Sequence, residues 1–347
     1  MNIVSNKQFN TQHNIPSIYD LIIIGAGPAG LTASIYASRY RIKHLVIGKE
    51  LGGAMALAWV VENYPGFKRI SGMELTKKMV EQAKELGGEI VNDEVVEIKN
   101  LKLKIKNDNV KFKIITASGR EYKSRAVILA TGTRRRELGV PGEKRYLGRG
   151  VSYCATCDAP FFRNKTVAVI GGANAAVMSA SHLAEFAKKV YIIYRGKPLR
   201  AEPIWRERVE KNPKIEIIYE TNVTEILGDG KTQMANVKSK SQISKLEVVG
   251  GIKLDKQYRG REYLPVDGVF IEIGGVPGAE LVKPLGVEVD EKGFVKVGPD
   301  MATNVPGIFA AGDIANAAGK LQQIVTACSE GAIAATSVYK FLNVPEV

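Results

Sequence analysis

The stretch Tyr19-Asp-Leu-Ile-Ile-Ile24 runs straight into Gly25-Ala-Gly27-Pro28-Ala29-Gly30, and nothing else in this chain restricts its fold as much. A short run rich in isoleucine reads as a buried strand. A helical run to about Tyr40 follows, then a second strand at His44–Ile47. That is a βαβ unit with a dinucleotide-type turn in the correct context. Each glycine has its own reason. Gly25 makes the tight turn, Gly27 lets backbone N–H groups approach a pyrophosphate, and Gly30 lets helix and strand pack closely. A ribose-binding acid should close the second strand; Gly48 stands there, and Glu50 is the nearest carboxylate.

The same pattern recurs: strand Thr166–Ile170, turn Gly171-Gly172-Ala173-Asn174-Ala-Ala176, helix to about Ala187, strand Val190–Tyr194. This copy is altered. The methyl of Ala173 sits where backbone should approach a pyrophosphate. After the strand come Arg195, Lys197 and Arg200, with no acid. Cations there suit a 2′-phosphate; they also suit an ordinary solvated loop.

The chain therefore reads as α/β, with two Rossmann-like domains, the second inserted into the first. Residues 1–18 are a polar extension, 19–138 and 265–347 form a discontinuous outer domain, and 139–264 form the insert. Gly52-Gly53 and a buried-type Asn63 read as a cofactor-lining loop. Residues 74–87 read as an amphipathic helix, and Ala130-Thr131-Gly132 ends a strand in a tight turn. Val266–Gly275 returns to the outer domain, and Ile308–Ala311 is a buried strand ending in Gly312-Asp313. A helix over about Gln322–Leu342 closes the chain, with Cys328 as a core residue.

Cys154-Ala-Thr-Cys157-Asp158 supplies the chemistry. Two thiols this close cycle between dithiol and disulfide with little backbone movement. The cycle needs a thiolate and a proton for the leaving sulfur, and Asp158 could supply that proton. A zinc site would want four ligands; beyond this pair the chain has one further Cys and three His at no ligand spacing. A structural disulfide closing so small a loop stabilises little.

Three cysteines in 347 residues give no disulfide framework, which points to a reducing, cytoplasmic setting. The net charge is +13, of which +9 falls in residues 139–265. No nucleic-acid module accompanies it. The uncharged stretch 21–38 is broken by glycines and Pro28, which argues for a turn rather than a membrane span.

Taken together, GAGPAG at 25–30, VENYPG at 61–66, ATG at 130–132, CATCD at 154–158 and FAAGD at 309–313 closely resemble the low-molecular-weight thioredoxin reductases. The resemblance covers about residues 19–342. It implies two three-layer ββα domains, usually in a homodimer, with an inserted domain that rotates between donor and thioredoxin. It implies FAD held at Gly25, Gly27, Pro28 and Ala29. Glu50, Gly53, Asn63, Val96, Ala130, Thr131 and Gly132 would line the cofactor, and Gly312, Asp313, Gln323 and Ile324 would hold its ribityl and ring. NADPH would meet Gly171, Gly172, Ala173, Asn174, Arg195 and Arg200. Cys157 would exchange electrons with the flavin, Cys154 would attack the disulfide of thioredoxin, and Asp158 would be the acid and base.

The departures lie on the donor side. The family's Gly-Gly-Gly turn is Gly171-Gly172-Ala173, and its His-Arg-Arg with a later Arg is Tyr194-Arg195-Gly196 with Arg200. Its Arg-Gln near the flavin is Gln322-Gln323. These changes keep other readings open: reduced ferredoxin as the donor, a dithiol oxidase of the same fold, or a flavin-bearing redox sensor without turnover.

Overall fold

The computed structural model describes residues 18–101, 110–230, 247–317 and 321–343. The polar extension, Ile18 apart, lies outside them. By internal contacts the chain divides into two compact units. One takes Met1–Gly53, Lys78–Gly132 and Ala279–Val347; the other takes Ala54–Lys77 and Thr133–Gly278.

In the first unit the strand Ile18–Ile24 lies between two parallel neighbours, His44–Ile47 and Glu121–Leu129. Glu89–Val91 extends the sheet beyond His44–Ile47. Ile308–Ala310 pairs with the end of Glu121–Leu129, whose beginning pairs antiparallel with Phe112–Thr116. Val95–Asn100 adds to that antiparallel layer, with Val96 at a shift in register between Val95 and Glu97. Alternation along the strands sorts the side chains. Ile22, Ile24, Leu45 and Leu129 pack with Ile98, Phe112 and Ile114 of the antiparallel layer. Leu21, Ile23, Val46 and Ile128 face Ala29, Ala33, Ala334 and Val338 of the helices Pro28–Arg39 and Ile324–Asn343. Both faces are buried over residues 21–24, which is why that part of the first strand is apolar without a polar alternate. Burying one such aliphatic side chain contributes about 1.5–3 kcal/mol. Small residues bring the two helices together: a Cβ on Gly331 would stand 2.2 Å from the Ala29 carbonyl oxygen.

The second unit repeats the three layers. Its parallel sheet runs Ile215–Tyr219, Lys189–Tyr194, Thr166–Ile170, Gly268–Ile271, Val151–Ser152. One face meets the helices Asn174–Phe186 and Pro203–Glu210 through Val177, Leu183, Trp205 and Val209. The other meets the antiparallel strands Val223–Gly228, Val249–Tyr258 and Arg261–Pro265 through Ile226, Ile252 and Leu264.

Two segments depart from the sequence reading. The sequence places Val266–Gly275 in the outer domain, but Gly268–Ile271 pairs in register with Thr166–Ile170 inside the second sheet. All four of its residues are buried there. The parallel strand Thr166–Ile170 needs a partner on both edges, and this apolar run supplies one. The loop after Gly53 also groups with the second unit. Val60 packs among Ala155, Phe162 and Phe270, and Trp59 stacks on His182 at 4.7 Å. The strands Thr133–Arg135 and Gly275–Pro277 pair antiparallel, so the two connections run side by side.

Candidate functional site

The first glycine turn is fixed by its own backbone at two of its three glycines. Gly25 has φ +114°, and a Cβ there would lie 2.1 Å from the Ala130 carbonyl oxygen. A Cβ on Gly30 would lie 1.9 Å from the Gly25 carbonyl oxygen. Gly27 differs. Its φ is −78°, and the nearest atom to an added Cβ is the Gly52 carbonyl oxygen at 3.9 Å. The protein itself does not require glycine there, so the open side of the turn is left for something else to approach. The helix begins at Pro28 with no side-chain cap, which leaves its first N–H groups to an anion.

Polar groups stand around this turn. The Thr131 hydroxyl is buried without a hydrogen-bond partner among the described residues. Burial alone pushes the Asp313 carboxyl above its ordinary range. Gly312, at φ +78°, donates its N–H to Glu330 Oε2 at 2.7 Å. Glu330 is buried on the closing helix, and its carboxyl is also pushed up by burial, with Asp313 adding to the rise and the Gly312 N–H opposing it. Gln323 donates its N–H to the Thr326 hydroxyl, and Ile324 begins the helix. An open amide turn, an orphan hydroxyl and a half-buried carboxyl fit a phosphate at one end and sugar-alcohol hydroxyls at the other. FAD has that composition.

The remaining expected contacts divide. Gly53 takes φ +52°. Glu50 is exposed. Gly48 cannot carry an acid, because its Cβ would meet the Ala26 Cβ at 2.6 Å and the Ala26 nitrogen at 2.7 Å. The Val96 side chain is exposed. Asn63, read from sequence as buried, is exposed instead. Val61 and Ile70 bridge the neck of its loop, so Asn63–Gly66 projects outward. Cys328, read as core, is only partly buried, with Sγ 3.9 Å from the Pro28 carbonyl oxygen.

In the second turn Gly171 has φ +142°, and a Cβ there would lie 2.2 Å from the Glu272 carbonyl oxygen. Ala173 precedes the helix and offers no side-chain cap. Asn174 and Glu202 bind each other twice: Nδ2 to Oε1 at 3.1 Å, and the Glu202 N–H to Oδ1 at 2.8 Å. Arg195, Lys197 and Arg200 are all exposed.

The sulfurs of Cys154 and Cys157 are bonded, with the two Cα atoms 5.3 Å apart. Cys154 caps the one-turn helix Ala155–Asp158, and its Sγ accepts the Cys157 N–H at 3.2 Å. Ala155 and Ala159 anchor that turn in the core. The Ser152 hydroxyl accepts the Cys154 N–H at 2.9 Å, and the Thr156 hydroxyl donates to the Leu57 carbonyl at 2.6 Å. Cys157 is exposed; Cys154 and Asp158 are partly buried. Tyr153 donates to Glu143, whose two oxygens also accept the N–H groups of Leu138 and Gly139. Burial pushes the Glu143 carboxyl up, but these hydrogen bonds together carry it below the ordinary value.

The sequence profile of the pyridine nucleotide-disulphide oxidoreductases matches residues 19–331. This chain belongs to that family. Within this oxidoreductase family it stands among the thioredoxin reductases. It is 42% identical over 327 residues to the thioredoxin reductase of Listeria innocua, covering 94% of both chains. To that of Bacillus subtilis it is 42% identical over 94% of this chain and 95% of the relative. The crystal structure of Lactococcus lactis thioredoxin reductase in its FR conformation matches with a TM-score of 0.82 and 38% identity, over 93% of this chain and 99% of that one. That of T. acidophilum thioredoxin reductase matches at 0.81 and 36%, over 93% and 98%.

Four residues beside the two candidate sites escaped the sequence reading: Glu330 in the first unit, and Glu143, Tyr153 and Thr156 in the second. Glu330 left a signal, a single acid on the small-residue face of an apolar helix. Thr156 bonds the Leu57 carbonyl 99 positions away, and Tyr153 and Glu143 bond each other across a turn, pairings that a linear reading does not make.

Proposed function

We propose that this chain is a thioredoxin-disulfide reductase that takes electrons from NADPH through bound FAD. The Cys154–Cys157 bond within a second dinucleotide-type unit carries the reading. The first turn, with Thr131, Asp313 and Gln323, would hold FAD; when bound, FAD would relay electron pairs between a nicotinamide and the dithiol.

The remaining chemistry belongs to the chain. In the dithiol state the Cys157 N–H favours negative charge on Cys154 Sγ, which makes Cys154 the attacking thiolate. It attacks one sulfur of the partner disulfide, that bond breaks, and the leaving partner thiolate takes a proton. Cys157 then attacks Cys154 Sγ in the mixed disulfide. This releases the second partner thiol and restores the Cys154–Cys157 bond, so one electron pair has moved to the partner. Asp158, next to Cys157, supplies and recovers the proton.

The donor site keeps left-handed Gly171, an uncapped helix start at Asn174, and exposed Arg195 and Arg200. These features favour a nicotinamide donor over reduced ferredoxin. A cytoplasmic homodimer completes the proposal. Three cysteines support the compartment, and no described helix is long and apolar enough to cross a membrane. Exposed Val325, Ile333 and Tyr339 on the closing helix support the dimer. Light scattering at micromolar protein tests it: the mass of two chains supports it, and the mass of one overturns it.

The activity test is steady-state reduction of thioredoxin by NADPH. Turnover that needs both thiols supports the reading. Rapid oxygen uptake with a small dithiol, and none with thioredoxin, would replace it by the oxidase.

A further inference from the structure

Tyr194 ends the second strand of the inner βαβ unit, the position from which nucleotide-binding folds read the adenosine ribose. Its ring lies directly on the glycine turn. A Cβ on Gly172 would stand 2.4–2.5 Å from Cδ2, Cε2 and Cγ of Tyr194. The far end of the same ring covers Gly196. A Cβ there would stand 2.9 Å from the phenol oxygen, 3.0 Å from Cζ and 3.2 Å from Cε1. The loop folds back over the ring, with the Arg200 N–H donating to the Gly172 carbonyl at 2.7 Å. Tyr194 is 8% exposed, so its ring has little room to yield.

Both neighbours are therefore glycine while this ring is in place. Position 196 projects from the loop that carries Arg195, Lys197 and Arg200, and it cannot carry a cation without displacing the phenol. Lys197 Nζ lies over the Tyr219 ring at 5.8 Å, and Arg195 and Arg200 are the other exposed cations of this loop.

We infer that Tyr194 is a specificity-determining residue for the nucleotide donor: its phenol fills the space from which residue 196 would meet a 2′-phosphate. The enzyme therefore separates NADPH from NADH weakly. This rests on the donor reading given above. An imidazole at 194 keeps counterparts of Cγ and Cδ2, which cover Gly172, and loses the phenol oxygen and Cζ, the two atoms that come nearest a Cβ at 196. The block is thus removable without opening the turn.

The test is a double-mutant cycle on the FAD-loaded protein: Gly196→Arg, Tyr194→His and both together, with dissociation constants for NADP⁺ and NAD⁺ measured by calorimetry. Gly196→Arg alone should change the ratio of the two constants by less than about threefold. The pair should favour NADP⁺ by about 10- to 100-fold, the worth of one charged contact. Full gain from Gly196→Arg alone, or no gain from the pair, overturns the inference. Gly196→Ala gives a readout that needs no nucleotide. It should lower the melting temperature, and the penalty should vanish when it is combined with Tyr194→His. An equal penalty in both backgrounds overturns the inference by itself. Failure of every variant to bind either nucleotide, with the Tyr194-dependent penalty intact, overturns it through the donor reading, because the contact itself has then passed.

Discussion

The Cys154 Sγ accepts the backbone N–H of Cys157 at 3.2 Å, so the two ends of the redox motif are joined by a hydrogen bond as well as by their disulfide. The turn that makes this possible is Ala155–Asp158, anchored by the buried Ala155. On the reading proposed above, that amide would stabilise a thiolate on Cys154 in preference to Cys157 once the sulfur bond opens.

Serine at either cysteine should abolish thioredoxin reduction, by on the order of 10³-fold or more. Neither substitution touches the first turn, so bleaching of the flavin band by NADPH should persist in both. Stopped-flow absorbance separates the two steps. Loss of bleaching in Cys154→Ser would place that sulfur in the donor half-reaction and contradict the assignment.

Gly27 and Gly30 differ in what surrounds them, and the difference gives opposite phenotypes. Gly30→Ala drives a methyl into the Gly25 carbonyl, with 1.9 Å between Cβ and oxygen, and should cost about 1–3 kcal/mol or more of stability. Gly27→Ala meets nothing closer than 3.9 Å and should fold normally. Its methyl points into the cofactor's approach, so FAD retention through gel filtration should fall. Equal FAD content in Gly27→Ala and the parent would remove the pyrophosphate from this turn.

How much of this was legible in the sequence depends on the range of the contact. Thr166–Ile170 and His44–Ile47 are strands as read, because an apolar run followed by a special backbone turn is a local signal. The strand Gly268–Ile271 was legible as a strand but not as a member of the second sheet. A uniformly apolar run says that both faces are buried and does not say beside which partner. Gly48 was noticed as a missing acid, but its reason is Ala26, 22 positions earlier, against which no side chain fits. Asn63 was misjudged because a bridge between Val61 and Ile70 turns the loop outward. The altered letters at Tyr194 and Gly196 were legible one by one. That a single ring connects them was not, since nothing local couples i and i+2 on a loop.

Glu330 gives a pH-dependent prediction. Its folded-state pKa is raised above the ordinary 4.5, with burial the main cause. The stability it contributes is present below that ordinary value and is lost as pH rises through the folded value. Glu330→Gln keeps an oxygen for the Gly312 N–H and cannot ionise. Its melting temperature should fall less than the parent's between pH 4.5 and 8. A parallel fall in the two proteins would show that Glu330 is not the group responsible.

Glu143 has the opposite sign. Hydrogen bonds from Tyr153, Leu138, Gly139 and Val140 outweigh burial and hold its pKa below 4.5. Its stabilisation is present above that ordinary value and is lost as pH falls through the folded one. Glu143→Gln should lose about 1.5–3 kcal/mol at pH 7 in urea unfolding, with a smaller deficit near pH 3. A deficit independent of pH would mean that shape rather than charge is what the site needs.

The most direct measurement is an anaerobic titration of the FAD-loaded protein with NADPH, followed by oxidised thioredoxin. The account predicts that the flavin band bleaches with NADPH and recovers on addition of thioredoxin, with one thioredoxin dithiol formed per NADPH consumed. A flavin that dithionite reduces but NADPH does not, or one that stays bleached in the presence of thioredoxin, would contradict it.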